Sequence, residues 1–371
     1  MHSVLSGRAL LAMLVVVTSG AESAASRIWA RQHSYVGSGF RLRQDFGGQG
    51  SRIAAAVRLK SDATYETEAP SQKPEVLKSW TPRRTPWGDP DLQGTFSNGD
   101  EYTTPLERPD QFAGRRLEDI KGQELADIRR AQLAQVIDGL PGGRVRGPDG
   151  WWVQNLNAGK GAQAWLVIDP PDGKIPPLTA EARARGAGRV RSSFLGGPFD
   201  GPEDLGLLDR CISRSVPGSM IPVMYGNVYE IVQVPGYVVI TYEIIHEARV
   251  IPLDGRPHVG QKIRQHMGDA RGHWEGSTLV VDTTNFTRAA AYRGSNAATL
   301  RVTERFTRVA RETIKWTATI DDPATWTRPW TLAMTLTADS QPVMAFECHE
   351  GNYGMRNILS AARAEDKVAG R

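Results

Sequence analysis

The sequence predicts a mainly β protein, an antiparallel lipocalin-like barrel or strongly curved meander sheet wrapped by an N-terminal helix-and-loop segment. Three observations carry that expectation. Seven apolar runs of strand length lie between Val228 and Cys348. Short turn sequences join most of them, and no helical crossover of the kind that parallel strands need is evident. Closing such a sheet removes its unpaired edges and leaves an interior that can hold a small ligand.

From the N-terminus, Arg8 precedes an apolar run from Ala9 to Val17, and small residues follow at Ser19-Gly20-Ala21 and Ser23-Ala24-Ala25. This is the layout of a secretory signal peptide, expected at residues 1–25. Nine apolar residues fall well short of the roughly 20 that a spanning helix needs, so no stable membrane anchor is expected after cleavage. The protein is expected to be secreted or periplasmic. Residues 26–79 mix glycine with Arg, Gln, Ser and Asp without apolar periodicity, and read as a disordered tail or linker.

Charge excludes one class of partner. The chain of 371 residues carries a formal net charge of +4. Residues 1–80 hold 10 Lys+Arg and 6 Asp+Glu, which leaves 35 of each sign on the remainder of the 45 and 41. A nucleic-acid binder concentrates its cations on the folded body, so no nucleic-acid partner is expected.

The segment 80–225 should wrap the sheet. It opens on turns and aromatic anchors from Thr81 to Phe96. Its best helix is predicted over 110–139, where Leu117, Ile120, Leu125, Ile128, Leu133, Val136 and Ile137 recur mostly at three-to-five spacing. Gly139 and Pro141 should stop it. A short basic helix is expected over Thr179–Arg185, and a last one after Asn352.

The barrel domain, 226–371, should contain strands at Val228–Val234, Tyr237–Ile245, Thr278–Thr284, Leu300–Val309, Thr313–Ile320, Trp330–Thr337 and Val343–Cys348. Pro235-Gly236 supplies the first turn, because proline presets φ and glycine accepts φ > 0. Ile314, Trp316, Ala318 and Ile320 share one face of their strand, opposite Lys315, Thr317, Thr319 and Asp321. By the same parity His246 shares a face with Val238, Ile240, Tyr242 and Ile244, Glu304 falls beside Val302 and Phe306, and Glu347 and His349 accompany Val343 and Ala345. Such polar groups are either satisfied structural side chains or members of a pocket.

Two stretches are dense in chemistry. In Ile251-Pro-Leu-Asp254-Gly-Arg256-Pro-His258, His258 or His246 could act as a general base with Asp254 fixing its tautomer. The ordinary alternative is a tight turn with an Asp–Arg ion pair. In Cys348-His349-Glu350-Gly-Asn-Tyr353-Gly-Met-Arg356, a strand should pass into a helix whose start could take an anion. Here His349, Glu350, Tyr353 and Arg356 would supply acid, base and charge recognition, or Asn352 would simply cap the helix.

The histidines at 246, 258, 266, 273 and 349 show no H-x-x-x-H or H-x-H spacing and no C-x-x-C accompanies them, so no metal or other cofactor is expected. Cys211 and Cys348, an even pair in an exported chain, suggest one disulfide, with two buried thiols as the alternative. Without G-x-S-x-G, a P-loop or G-x-G-x-x-G, serine hydrolases, phosphate-loop enzymes and dinucleotide enzymes lack support.

With these residues in view, the chain resembles a group of secreted bacterial proteins, common in soil organisms, that carry no established activity. The matching stretches are Pro86–Gly94 (PWGDPDLQG), Val167–Gly173, Ala248–His258 (containing IPLDGRPH), Gly268-Asp269, Trp274–Gly276 running into Thr278–Phe286, Asp322-Pro323 and Cys348–Met355 (CHEGNYGM). The resemblance spans Trp80 to Glu365. It implies that His246, His258 and His349 sit at pattern positions. His266 and His273 stand where Trp and Arg are expected, and Ser277 stands where Asp is usual.

Two main functional expectations follow. The first is an exported protein binding a small amphipathic or aromatic molecule in a barrel pocket lined by Tyr242, Phe306 and Trp316, with Arg256, Glu304, Tyr353 and Arg356 as polar contacts. The alternative is a cofactor-independent lyase, isomerase or hydrolase in which His246, Asp254, His258, His349 and Glu350 converge. A surface interaction protein, using exposed Trp151-Trp152, Trp326 and Trp330, is a second alternative.

Overall fold

A computed structural model describes residues 80–139, 161–187, 199–223, 225–346, 348 and 353–370. The expected signal peptide and tail, together with Trp151-Trp152, Glu347, His349, Glu350 and Asn352, lie outside these residues.

Ten strands form one antiparallel sheet: β1 (Gly94–Ser97), β2 (Val167–Asp169), β3 (Val228–Val234), β4 (Tyr237–Tyr242), β5 (Ala248–Pro252), β6 (Asp269–Glu275), β7 (Thr278–Thr284), β8 (Arg301–Ala310), β9 (Thr313–Asp321) and β10 (Trp330–Ala338). Their spatial order is β5-β4-β3-β1-β10-β9-β8-β7-β6, with β2 added on β10. The protein is therefore mainly β, with a nearly closed barrel-like sheet. Strand alternation drives the burial. On β9, Ile314, Trp316, Ala318 and Ile320 are fully buried while Lys315 is exposed; on β3, Tyr229, Ile231 and Gln233 point inward and Glu230 and Val232 outward.

The topology departs from a simple meander. Two meanders, β3–β5 and β6–β10, are joined by β1, which pairs Phe96 and Ser97 with Tyr229 and Val228 on one side and with Ala338 and Thr337 on the other. The wrapping segment thus supplies two strands of the sheet as well as its cover. Strands β5 and β6, the two ends of the path, share no ladder. Side chains close this seam: Gly272 on β6 leaves so little room that a Cβ there would stand 2.8 Å from Ile251 Cγ2 and 2.7 Å from Leu253 Cδ2.

Three predicted elements differ. The helix α1 runs over Gly122–Gly139 only, because Gly114 (φ 79°) and Gly122 (φ 59°) take the left-handed region and leave Asp110–Phe112 and Leu117–Asp119 as single 3-10 turns. Strand β4 ends at Tyr242 rather than Ile245, since Ile245 (φ 63°) and His246 (φ 54°) turn the chain. His246 is consequently exposed and does not share the inward face of Tyr242. The described residues of Val343–Cys348 form no strand.

The other elements stand near their expected places. Gly236 (φ 81°) makes the β3–β4 turn. Helix α2 (Ala180–Ala184) is capped by the Thr179 hydroxyl, which accepts from the Ala182 N–H at 3.0 Å. Helix α3 (Gly354–Ala369) follows the disulfide Cys211–Cys348, whose α-carbons lie 5.6 Å apart. No described helix is long and apolar enough to cross a membrane.

Candidate functional site

The barrel interior is occupied by its own side chains. Tyr242, Glu304, Phe306 and Trp316, expected to line a pocket, are each 0% exposed. Glu304 forms a bidentate pair with the buried Arg249 of β5 and accepts from Trp316 Nε1 at 3.0 Å. The Tyr242 hydroxyl lies beside the same guanidinium. Burial works against the Arg249 charge, but Glu304 and Tyr242 outweigh it and hold its pKa above the ordinary value. Burial pushes the Tyr242 phenol up. These groups are engaged with one another, so a ligand reaches them only if the core repacks.

The outer wall carries the His258 constellation. After β5 the chain runs back across the outside of β6 and β7, and there His258 bridges two carboxylates. Its Nδ1 is 2.9 Å from Asp269 Oδ2 and its Nε2 is 3.0 Å from Asp282 Oδ2. Arg271 pairs with Asp269 at 2.6 Å, and Arg301 forks onto Asp282 at 2.5 and 2.6 Å. Burial alone would raise the Asp282 pKa; the Arg301 and His258 contacts outweigh it and hold the carboxyl below its ordinary value. Asp254 does not orient His258. Its carboxylate is taken by Arg256, which also donates to Tyr237 Oη at 3.0 Å, and that guanidinium holds Asp254 at about 2. With both ring nitrogens and both carboxylates engaged, His258 fastens the loop to the wall.

The remaining expected site residues that are described do not converge. His246 Nδ1 accepts the Phe346 N–H at 3.4 Å. His266 Nδ1 lies 2.9 Å from Thr287 Oγ1, and His273 Nε2 lies 3.2 Å from Glu275. Tyr353 and Arg356 are exposed at the start of α3. Among the described residues no group of three or more His, Cys, Asp or Glu is placed to hold a metal ion.

A different place gathers the unusual features. Ladder pairs set the start of β3 beside the ends of β1 and β4 and the start of β5. Others set the starts of β6, β8 and β10 beside the ends of β7 and β9. The connections at these ends form one mouth of the barrel, crossed by the strap Cys211–Ile221. The Arg214 N–H donates to Glu247 Oε2 at 3.1 Å, and Arg214 Nη1 donates to Ile221 O at 3.0 Å. The Tyr292 ring packs on Trp330 with centroids 6.3 Å apart, and Trp326 meets Trp330 edge-on at 5.7 Å.

All six described non-glycine residues with left-handed backbone fall on connections here: Cys211, Ser215, Ile245, His246, Asn285 and Arg293. Each such conformation costs on the order of 1 kcal/mol, and such residues gather where function holds them. The hydroxyls of Ser215 and Ser219 and the Asn98 Oδ1 are buried here without a hydrogen-bond partner. Burial raises the Glu247 pKa against the opposing donors Ser213 and Arg214 N–H. None of Arg214, Tyr292 and Glu247 stands out in the sequence; the one usable signal is an arginine among small residues three positions after Cys211.

No family model, curated protein or solved structure matches this chain.

Proposed function

We propose that this is an exported protein that binds a small amphipathic or aromatic molecule at the barrel mouth beneath the Cys211–Ile221 strap, and not in the closed interior. The observation that carries this reading is the concentration of left-handed residues at one mouth, Cys211 and Ser215 on the strap and Ile245, His246, Asn285 and Arg293 on connections at the same end. A chain held in costly conformations at one place, above hydroxyls without partners, is organised for something other than its own packing. The N-terminal leader and the single disulfide support export.

Native mass spectrometry of protein from a secreted or periplasmic preparation tests it, with hydrogen exchange read before and after the bound molecule is stripped by denaturation and refolding. A noncovalent organic mass is expected, together with slower exchange over 211–221 and 290–296 when it is present. A preparation that is always empty would remove this reading.

Glu247 favours one second reading. Its carboxyl is pushed up by burial at the same mouth, with Ser213 and His266 nearby, which suits proton transfer in a cofactor-independent lyase, isomerase or hydrolase. The surface-interaction reading loses two supports, because Trp326 and Trp330 are 3% and 0% exposed.

A further inference from the structure

We infer that the molecule taken at this mouth carries a carboxylate on an apolar or aromatic body, and that Arg214 receives it. The inference rests on the mouth being a binding site and names the class of its ligand.

Two arginines among the described residues are buried, and each has a carboxylate. Arg249 has Glu304, and the Arg129 charge is supported by Glu101. Arg214 is different. Among the described residues no carboxylate stands in ion-pair range of its guanidinium, and the ionisable groups that act on it are the phenols of Tyr229 and Tyr292. Glu247 engages only its backbone N–H. One terminal nitrogen is bonded to Ile221 O, which leaves most of a five-donor fork to be satisfied. This guanidinium is only partly buried, and with no carboxylate partner among the described residues it has N–H donors to offer an incoming anion.

The surroundings narrow the class. A planar carboxylate can accept two parallel N–H bonds from one guanidinium, and a neutral polar group cannot match that. The strap that carries Arg214 also carries the unpartnered hydroxyls of Ser215 and Ser219, which can donate to a carboxylate oxygen. Tyr292, the phenol beside the guanidinium, is only partly buried and is backed by the buried Trp330 and Trp326, so its own ring is the apolar surface that a ligand can meet. One end of the site therefore suits an anion and the adjoining side an apolar ring or tail.

The test compares 2-naphthoate with its neutral isostere 2-naphthamide, read by quenching of intrinsic tryptophan fluorescence in the full protein. The wild type is expected to bind 2-naphthoate at least about tenfold more tightly, the margin of a charge-assisted bidentate contact over a neutral one. Arg214→Gln should abolish that preference while keeping the weak naphthamide affinity, and Arg214→Lys should keep part of it. If Arg214→Gln does not fold, Arg214→Lys decides, because an undiminished preference there would overturn the assignment. Equal binding of the two probes overturns the carboxylate inference and leaves the mouth as a binding site. So does a copurified neutral ligand in a protein that binds neither probe. An always-empty protein that binds neither probe removes both.

Discussion

Arg249 and Glu304 show how a single residue was legible and its partner was not. Strand parity marks Glu304 as a carboxylate on an apolar face, which a pocket or a buried pair explains equally well. The partner lies 55 positions away on a strand too short to read, and only barrel closure brings the two together. Because both are buried, the pair's value lies in its mutual compensation. Arg249→Met should destabilise by about 3–5 kcal/mol, since it strands a buried carboxylate. Adding Glu304→Gln should recover most of that loss, because the amide oxygen still accepts from Trp316 Nε1 while the charge is gone. Urea denaturation of the two single variants and the double variant reads the coupling. Additive losses would show that the pair is not coupled.

Among the elements, the long alternating strands could be read; the short ones could not, and neither could the seven-residue β6, whose Arg, Gly and His interrupt any apolar alternation. β8 and β9 carry nine or ten residues each with clean alternation. β1 has four residues and β2 three, so periodicity has almost nothing to work on. The β5–β6 seam is invisible for another reason, since it is closed by side-chain contact without a ladder. Gly272→Ala places a methyl against Ile251 and Leu253 and should cost about 1–3 kcal/mol through overpacking. Gly260, which has open space around its α-carbon, is the control, and Gly260→Ala should fall within about 0.5 kcal/mol of wild type. Thermal unfolding of the two variants separates them. Equal midpoints would mean that the seam is loose.

For the molecule as a whole, the barrel class was readable because many strands with short connections admit few other solutions. The site was not, because its parts come from connections dispersed over Asn98, the Cys211–Ile221 strap, Glu247 and Tyr292. The same parity rule that placed the core put His246 on the wrong side, since two left-handed residues end the strand before it. The disulfide ties the strap to the segment leading into α3 across 137 positions. Reduction is expected to cost about 2–5 kcal/mol and to quicken hydrogen exchange in 211–221 before the barrel strands respond. Uniform exchange on reduction would show that the bridge supports the fold in general and not the mouth in particular.

The position of β1 bears on how the chain comes to be folded at all. Of the described strands it is the first to be synthesised, and it lies between β3 and the last of them, β10. Until the ribosome has delivered Trp330–Ala338, one edge of β1 has no partner and the two meanders have nothing to join them. Assembly of this sheet is therefore a late, whole-chain event governed by its most distant pairing. A polypeptide cut short before residue 330 would hold two separate sheets, each with an open flank.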